Sequence, residues 1–248
     1  PLYSSAASDV YKRQVLGDEA SDIDKASRGA VGRIVRRGDL TGKLAHTVVL
    51  PDVKGIEGER VLLVGAGKRS GIDPDEYRRL IKNSADILKQ YESRNVVSTL
   101  LSIKVHGRDT LWKLDQHVLI FSESNYRFDE LKSKKIRPGL RQLGFLCDNE
   151  PSSVVGRAIK VSRAKMVGVN FMKDLANRPG NVCTPTHLAE QAKSLAKKSP
   201  ALKVTVLEEA AMEELGMGAL LSVSRGSRQP AKLIIAEYHR SDSQTKPI

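Results

Sequence analysis

The chain has 248 residues, 40% hydrophobic and 28% charged, enough apolar side chains for the core of one large domain or two ordinary ones. A formal charge of +12 favours anionic partners, and two cysteines, Cys147 and Cys183, are too few for a disulfide framework and form no C-x-x-C pair, which points to a reducing, intracellular setting. No apolar run reaches the length of a membrane span, and no secretory signal pattern stands near the start.

The string Asp9-Val10-Tyr11-Lys12-Arg13-Gln14 is what one reading frame of a common transposon-end sequencing adapter encodes, and Ser4-Ser5-Ala6-Ala7-Ser8 carries little information. Residues 1–14 are therefore expected to be a non-native segment outside the fold. From Val15, short apolar runs alternate with helical patterns, which predicts an α/β fold: an amino-terminal α/β domain with a mixed sheet flanked by helices.

Thr47 to Leu50 and Arg60 to Gly65 read as strands, the second rich in Val and Leu as a buried strand should be. A helix follows, with Asp73 as cap, Pro74 at its first position and Glu76 reaching back, and with Tyr77, Leu80, Ile81, Ser84, Leu88 and Tyr91 on one face. Val96 to Leu101 is the next strand, Asp109 to Tyr126 a helix, and Gln142 to Cys147 a strand.

A long connecting helix is predicted from Ser152, with Val154, Ala158, Val161, Ala164, Gly168, Phe171 and Leu175 as its apolar row, ending in the breaker cluster Asn177 to Asn181. Thr184 caps a new helix with Leu188, Ala192, Leu195 and Ala196 inward. Leu202 to Leu207 reads as a strand, Glu208 to Leu215 as a short helix and Lys232 to Tyr238 as a strand. The expected division is therefore 1–14 non-native, 15–151 amino-terminal domain, and 152–248 connector helix and beginning of a second α/β domain.

Val64-Gly65-Ala66-Gly67-Lys68 resembles a phosphate loop only superficially. Leu62 stands where a Walker motif needs Gly, Arg69 where it needs Ser or Thr, and Ser70 where a dinucleotide fingerprint needs its third Gly. A structural turn is the expected role. The five histidines show neither H-E-x-x-H nor a helical pair, so none is assigned to a metal. Between Lys132 and Lys165 nine cations face only Asp148 and Glu150, a local surplus of seven. That is either a solvated face or a nucleic-acid surface, with Lys132, Lys134, Lys135, Arg137 and Arg141 as its candidate contacts.

Asp174-Leu175-Ala176-Asn177-Arg178-Pro179-Gly180-Asn181, followed by Cys183-Thr184-Pro185, resembles the opening of the catalytic domain of the leucine aminopeptidase family. Arg36 to Lys43, Arg60 to Lys68, Gly107-Arg108-Asp109 with Trp112, Glu214 to Ala219, Arg225-Gly226-Ser227 and Leu233 to Tyr238 resemble further family segments in the right order. The resemblance implies a cytosolic homohexamer that removes amino-terminal residues, leucine above all, from peptides with a free amino terminus, in intracellular protein turnover. It also implies two divalent ions, Mn or Zn, that activate a water and stabilise the tetrahedral intermediate.

In that family Lys246-Pro247-Ile248 would lead into the Gly-Lys-Gly and Asp-Ala-Glu-Gly-Arg segments that carry the metal ligands. No catalytic or metal-binding residue is therefore assigned in this chain, which is expected to bind no metal and to be inactive alone. The alternative expectation is a regulatory, DNA-binding role of the basic amino-terminal domain, as some bacterial relatives have.

Overall fold

The computed structural model describes residues 2–10, 13–135, 139–147 and 150–239, with side chains from residue 16 onward. These residues divide into two compact units, Pro1–Asn170 and Phe171–Ile248, so the division falls inside the long helix rather than at its start.

The first unit is built on a mixed sheet in the order β3-β4-β1-β5-β6, with a short β2 folded back on β1. Its strands are β1 (Leu2–Val10), β2 (Arg13–Leu16), β3 (Thr47–Pro51), β4 (Arg60–Lys68), β5 (Asn95–Ser98) and β6 (Gln142–Phe145). β1 runs parallel to β4 on one side and to β5 on the other, β5 is parallel to β6, and β3 is antiparallel to β4. The mixed sheet expected from the sequence is present. The expected exclusion of residues 1–14 from the fold is not, because Leu2–Val10 fills the sheet position between β4 and β5. A parallel ladder needs only backbone groups in extended geometry, so an uninformative sequence can still complete it.

β4 shows why the unit has helices on both faces. Successive side chains of a strand point to opposite faces. Leu62, Val64 and Ala66 join a core with Tyr77, Leu80, Ile81, Ala85 and Leu88. Val61 and Leu63 join a second core with Ile23, Val31, Leu40 and Val53. The first core is supplied by α3 (Pro74–Gln90) and the second by α1 (Asp18–Ala26) and α2 (Ala30–Arg37). The sequence reading missed α1 and α2, whose eight or nine residues are too few for a clear helical period.

α3 begins as expected. Glu76 N–H donates to the Asp73 carboxylate at 2.7 Å and Asp73 N–H donates to the Glu76 carboxylate at 3.0 Å, a reciprocal capping box. Asp73→Ala is expected to destabilise the first unit by about 1 kcal/mol, read as an earlier urea midpoint with an unchanged slope. Tyr77, Leu80, Ile81, Ser84 and Leu88 are buried, whereas Tyr91 caps the last turn and is 44% exposed. The strand expected over Val96 to Leu101 stops at Ser98 and turns into a single 3-10 turn, Leu100–Ser102. α4 (Thr110–Asn125) then packs beside α3.

α5 (Ser152–Asn177) has the expected length but not the expected buried row. Val154 and Val161 are exposed, while Ser162 is 1% exposed and donates to Asp115 of α4 at 2.6 Å. Lys165 adds an ion pair to the same carboxylate at 2.9 Å. This polar anchor rotates the helix so that Val155, Ile159, Ser162 and Met166 turn away from solvent.

The second unit contains α6 (Pro185–Lys198), β7 (Leu202–Leu207), α7 (Glu209–Glu214), α8 (Gly218–Ser224) and β8 (Leu233–Tyr238). β7 and β8 form an antiparallel pair. α6 buries Ala189, while Leu188 and Leu195, expected inward, are both 38% exposed.

Candidate functional site

Three constellations gather polar side chains, and each fastens its part of the fold. The first lies in the core of the amino-terminal unit around His117, which is 0% exposed. α4 carries Lys113, His117 and Phe121 four residues apart and so along one face. His117 Nδ1 lies 3.1 Å from the Lys113 carbonyl, an acceptor only, so Nδ1 carries the proton and donates. Nε2 then accepts from the Ser98 hydroxyl at 3.1 Å, and Ser98 Oγ in turn accepts from Leu100 N–H at 3.3 Å. Tyr77, its hydroxyl 3.1 Å from Nδ1, donates to the Leu100 carbonyl at 3.2 Å.

Every polar atom of the ring is therefore used in the neutral form. Burial pushes the His117 pKa down to about 4, the bond to the Lys113 carbonyl opposes this in part, and the Lys113 charge adds a smaller push in the same direction as burial. Burial likewise lowers Lys113, whose ammonium donates to the carbonyls of Leu101 and Ile103, and raises the Tyr77 phenol. A sealed, neutral imidazole with both nitrogens engaged cannot serve as base to a substrate in solvent. This network pins α3, α4 and the end of β5 together.

Gly107-Arg108-Asp109 with Trp112 proves to be a local clamp. Asp109 accepts from Trp112 N–H at 2.8 Å and caps α4. The guanidinium groups of Arg108 and Arg78 lie 5.2 Å and 5.3 Å from the Trp112 ring centre.

The third constellation is in the second unit. After α5, Val182 and Cys183 N–H both donate to the Pro179 carbonyl, at 2.8 Å and 2.9 Å, which folds the Asn177 to Asn181 block into a tight turn. Arg178 donates to His187 Nε2 at 3.1 Å, and Thr184 caps α6 on His187 N–H. Lys232 pairs with Glu208, and Ala231 N–H donates to Glu209 at 2.8 Å, so both glutamates fasten the segment that starts β8. The Gly216 to Leu221 and Ser224 to Ser227 segments border an open groove beside Glu209 and Glu213.

Among the described residues, no group of three or more His, Cys, Asp or Glu side chains is placed to hold a metal ion. Of the candidate nucleic-acid contacts, Lys132, Lys134 and Lys135 are exposed in a turn after α4, and Arg141 is exposed just before β6. Arg137 lies outside the described residues. Arg141 shares a groove with Arg163 of α5, which the three lysines do not line, and no helix or strand presents the four in a row. The sequence reading missed the His117 network. Its one visible signal is Lys113 and His117 at helical spacing beside the apolar Leu114 and Phe121.

The model of the cytosol aminopeptidase family, N-terminal domain, matches residues 9–135, and that of the family's catalytic domain matches residues 170–248. A curated protein named "Probable cytosol aminopeptidase" from Thioalkalivibrio sulfidiphilus is 46% identical over 243 residues, 96% of this chain and 49% of that protein. One of the same description from Nitrosomonas europaea is 39% identical, over 96% of this chain and 48% of that protein. The chain thus spans about half the length of the curated relatives it matches. In fold it is similar to a tomato leucine aminopeptidase mutant, with TM-score 0.75 and 24% identity over 99% of this chain and 49% of the other. It is also similar to the bottromycin maturation enzyme BotP in complex with Mn, with TM-score 0.72 and 21% identity over 97% of this chain and 45% of the other.

Proposed function

Because this chain belongs to the cytosol aminopeptidase family, we propose that it supplies the amino-terminal domain and the opening of the catalytic domain of a leucyl aminopeptidase. The observation that carries this reading is the tiling of two family models in order, residues 9–135 and 170–248.

The substrates are peptides with a free amino terminus, and the assembled enzyme is a cytoplasmic homohexamer that uses two divalent ions, Mn or Zn. Such ions polarise a carbonyl and make a nucleophile of bound water at neutral pH. The described residues do not fit that centre. Among them no ligand cluster exists, and Glu208 and Glu209 are already engaged by Lys232 and the Ala231 N–H. What these residues contribute is position. The Arg178–His187 contact and the Glu208 and Glu209 fastenings set the turn after α5 and the start of β8.

The test is a fusion of residues 1–248 to the remaining half of the Thioalkalivibrio sulfidiphilus relative. Loaded with Mn²⁺, the fusion is expected to hydrolyse leucine amide and to stop on chelation, while residues 1–248 alone leave the amide intact. A fusion that melts cooperatively yet has no activity, or hydrolysis by the 248-residue chain itself, would overturn the reading.

A further inference from the structure

In the amino-terminal sheet β1 lies between β4 and β5, parallel to both. The chain leaves β4, passes through α3 and returns as β5 on the opposite side of β1, so the strand order reverses there. Reversals of this kind open a crevice beyond the carboxyl ends of the strands, the place where open α/β sheets hold ligands. Here a crevice of about 200 Å³ is bordered by the segments that follow β4 and β5 and by the start of α1.

Its lining is charged in two parts. Lys68 and Arg69 come from the end of β4 and Lys104 from the segment after β5, while Asp18 and Glu19 come from the first turn of α1. Among the described residues none of the five has an ion pair or side-chain hydrogen bond, so three cations are gathered without a protein anion bonded to them. Gathered cations of this kind raise the local concentration of an anion and pair with it. The acids are suited to a different part of a ligand, since an ionised carboxylate accepts hydrogen bonds from hydroxyls. At about 200 Å³ the crevice is smaller than most drug-sized sites, which limits the ligand to a single small unit.

We propose that this crevice binds a small phosphate ester with free hydroxyls, of the sugar-phosphate class. Lys68, Arg69 and Lys104 hold the phosphate dianion, and Asp18 and Glu19 accept from the hydroxyls. The glycines of the Gly65-Ala66-Gly67 segment take no part, so the site is one of side chains rather than of a phosphate loop.

The experiment is titration calorimetry of the 248-residue chain at low salt with ribose 5-phosphate, ribose and inorganic phosphate. Ribose 5-phosphate is expected to bind with an affinity that falls as salt rises, inorganic phosphate about tenfold more weakly, and ribose not at all. The double variant Lys68→Ala, Lys104→Ala is expected to weaken ribose 5-phosphate at least about tenfold with its melting temperature unchanged. Asp18→Ala with Glu19→Ala, which removes the acceptors themselves, is expected to erase the preference for ribose 5-phosphate over inorganic phosphate. Absence of heat with ribose 5-phosphate at millimolar concentration, equal binding of inorganic phosphate by the unaltered chain, or full affinity in the folded double-lysine variant would each sink the proposal.

Discussion

Acidification from pH 7 to pH 4 is expected to remove about 3 kcal/mol of folding stability through His117 alone. The imidazole is buried between Tyr77, Ser98, Phe121 and Phe145, with the Lys113 ammonium as the charge that opposes a second one, and its pKa is lowered to about 4. In the unfolded chain the same ring takes a proton below its ordinary value of about 6.5. Between those two values the unfolded state binds more protons than the folded one, so stability rises with pH. It is lost as pH falls through this window and levels off once the folded ring also protonates.

The measurement is urea unfolding followed by the fluorescence of Trp112, the chain's one tryptophan, at several pH values for the natural chain and for His117→Gln. The variant should be less stable at pH 7, because Ser98 and Tyr77 lose part of their hydrogen bonding, and its stability should depend less steeply on pH. Equal slopes in the two proteins between pH 4 and 6.5 would mean that the ring titrates alike folded and unfolded, which the buried network forbids.

What could be read from the sequence was what short-range chemistry decides. Asp73, Pro74 and Glu76 mark the start of α3 because a capping box is complete within four residues. β7 matches the expected strand, Leu202 to Leu207, residue for residue. The family blocks were legible for the same reason: the Asn177 to Asn181 turn and the Asp109 cap close on themselves.

What was not legible depends on distant partners. The buried side of α5 is chosen by Asp115, nearly fifty residues earlier, so Ser162 turns inward although Val161 beside it is the more apolar. The His117 network needs Tyr77, Ser98 and Leu100 brought together from three elements. The phosphate-ester crevice needs the ends of β4 and β5 and the start of α1 placed by a sheet whose central strand, β1, the sequence reading had set aside.

Gly65→Ala is expected to cost about 3 kcal/mol or more, whereas Gly144→Ala should change stability by less than about 0.5 kcal/mol. Gly65 sits in buried β4, where a Cβ would stand 2.1 Å from the Lys43 carbonyl oxygen and 2.8 Å from that of Thr41. Neither obstacle is a flexible side-chain end. The loop is also held from both sides: Gly65 N–H donates to the His46 carbonyl at 2.7 Å, and Ala45 N–H donates to the Gly65 carbonyl at 2.8 Å. Relief of the clash therefore breaks these bonds or shifts β4, whose Val61 to Val64 feed both cores. Gly144 lies in β6 and its added methyl meets Val97 Cγ2 at 3.7 Å and the Val96 carbonyl oxygen at 3.8 Å, both ordinary van der Waals contacts. Urea midpoints of the two variants, read from Trp112, should separate widely. If they coincide, the Thr41 to His46 loop yields freely and the close backbone approach is not what demands glycine at position 65.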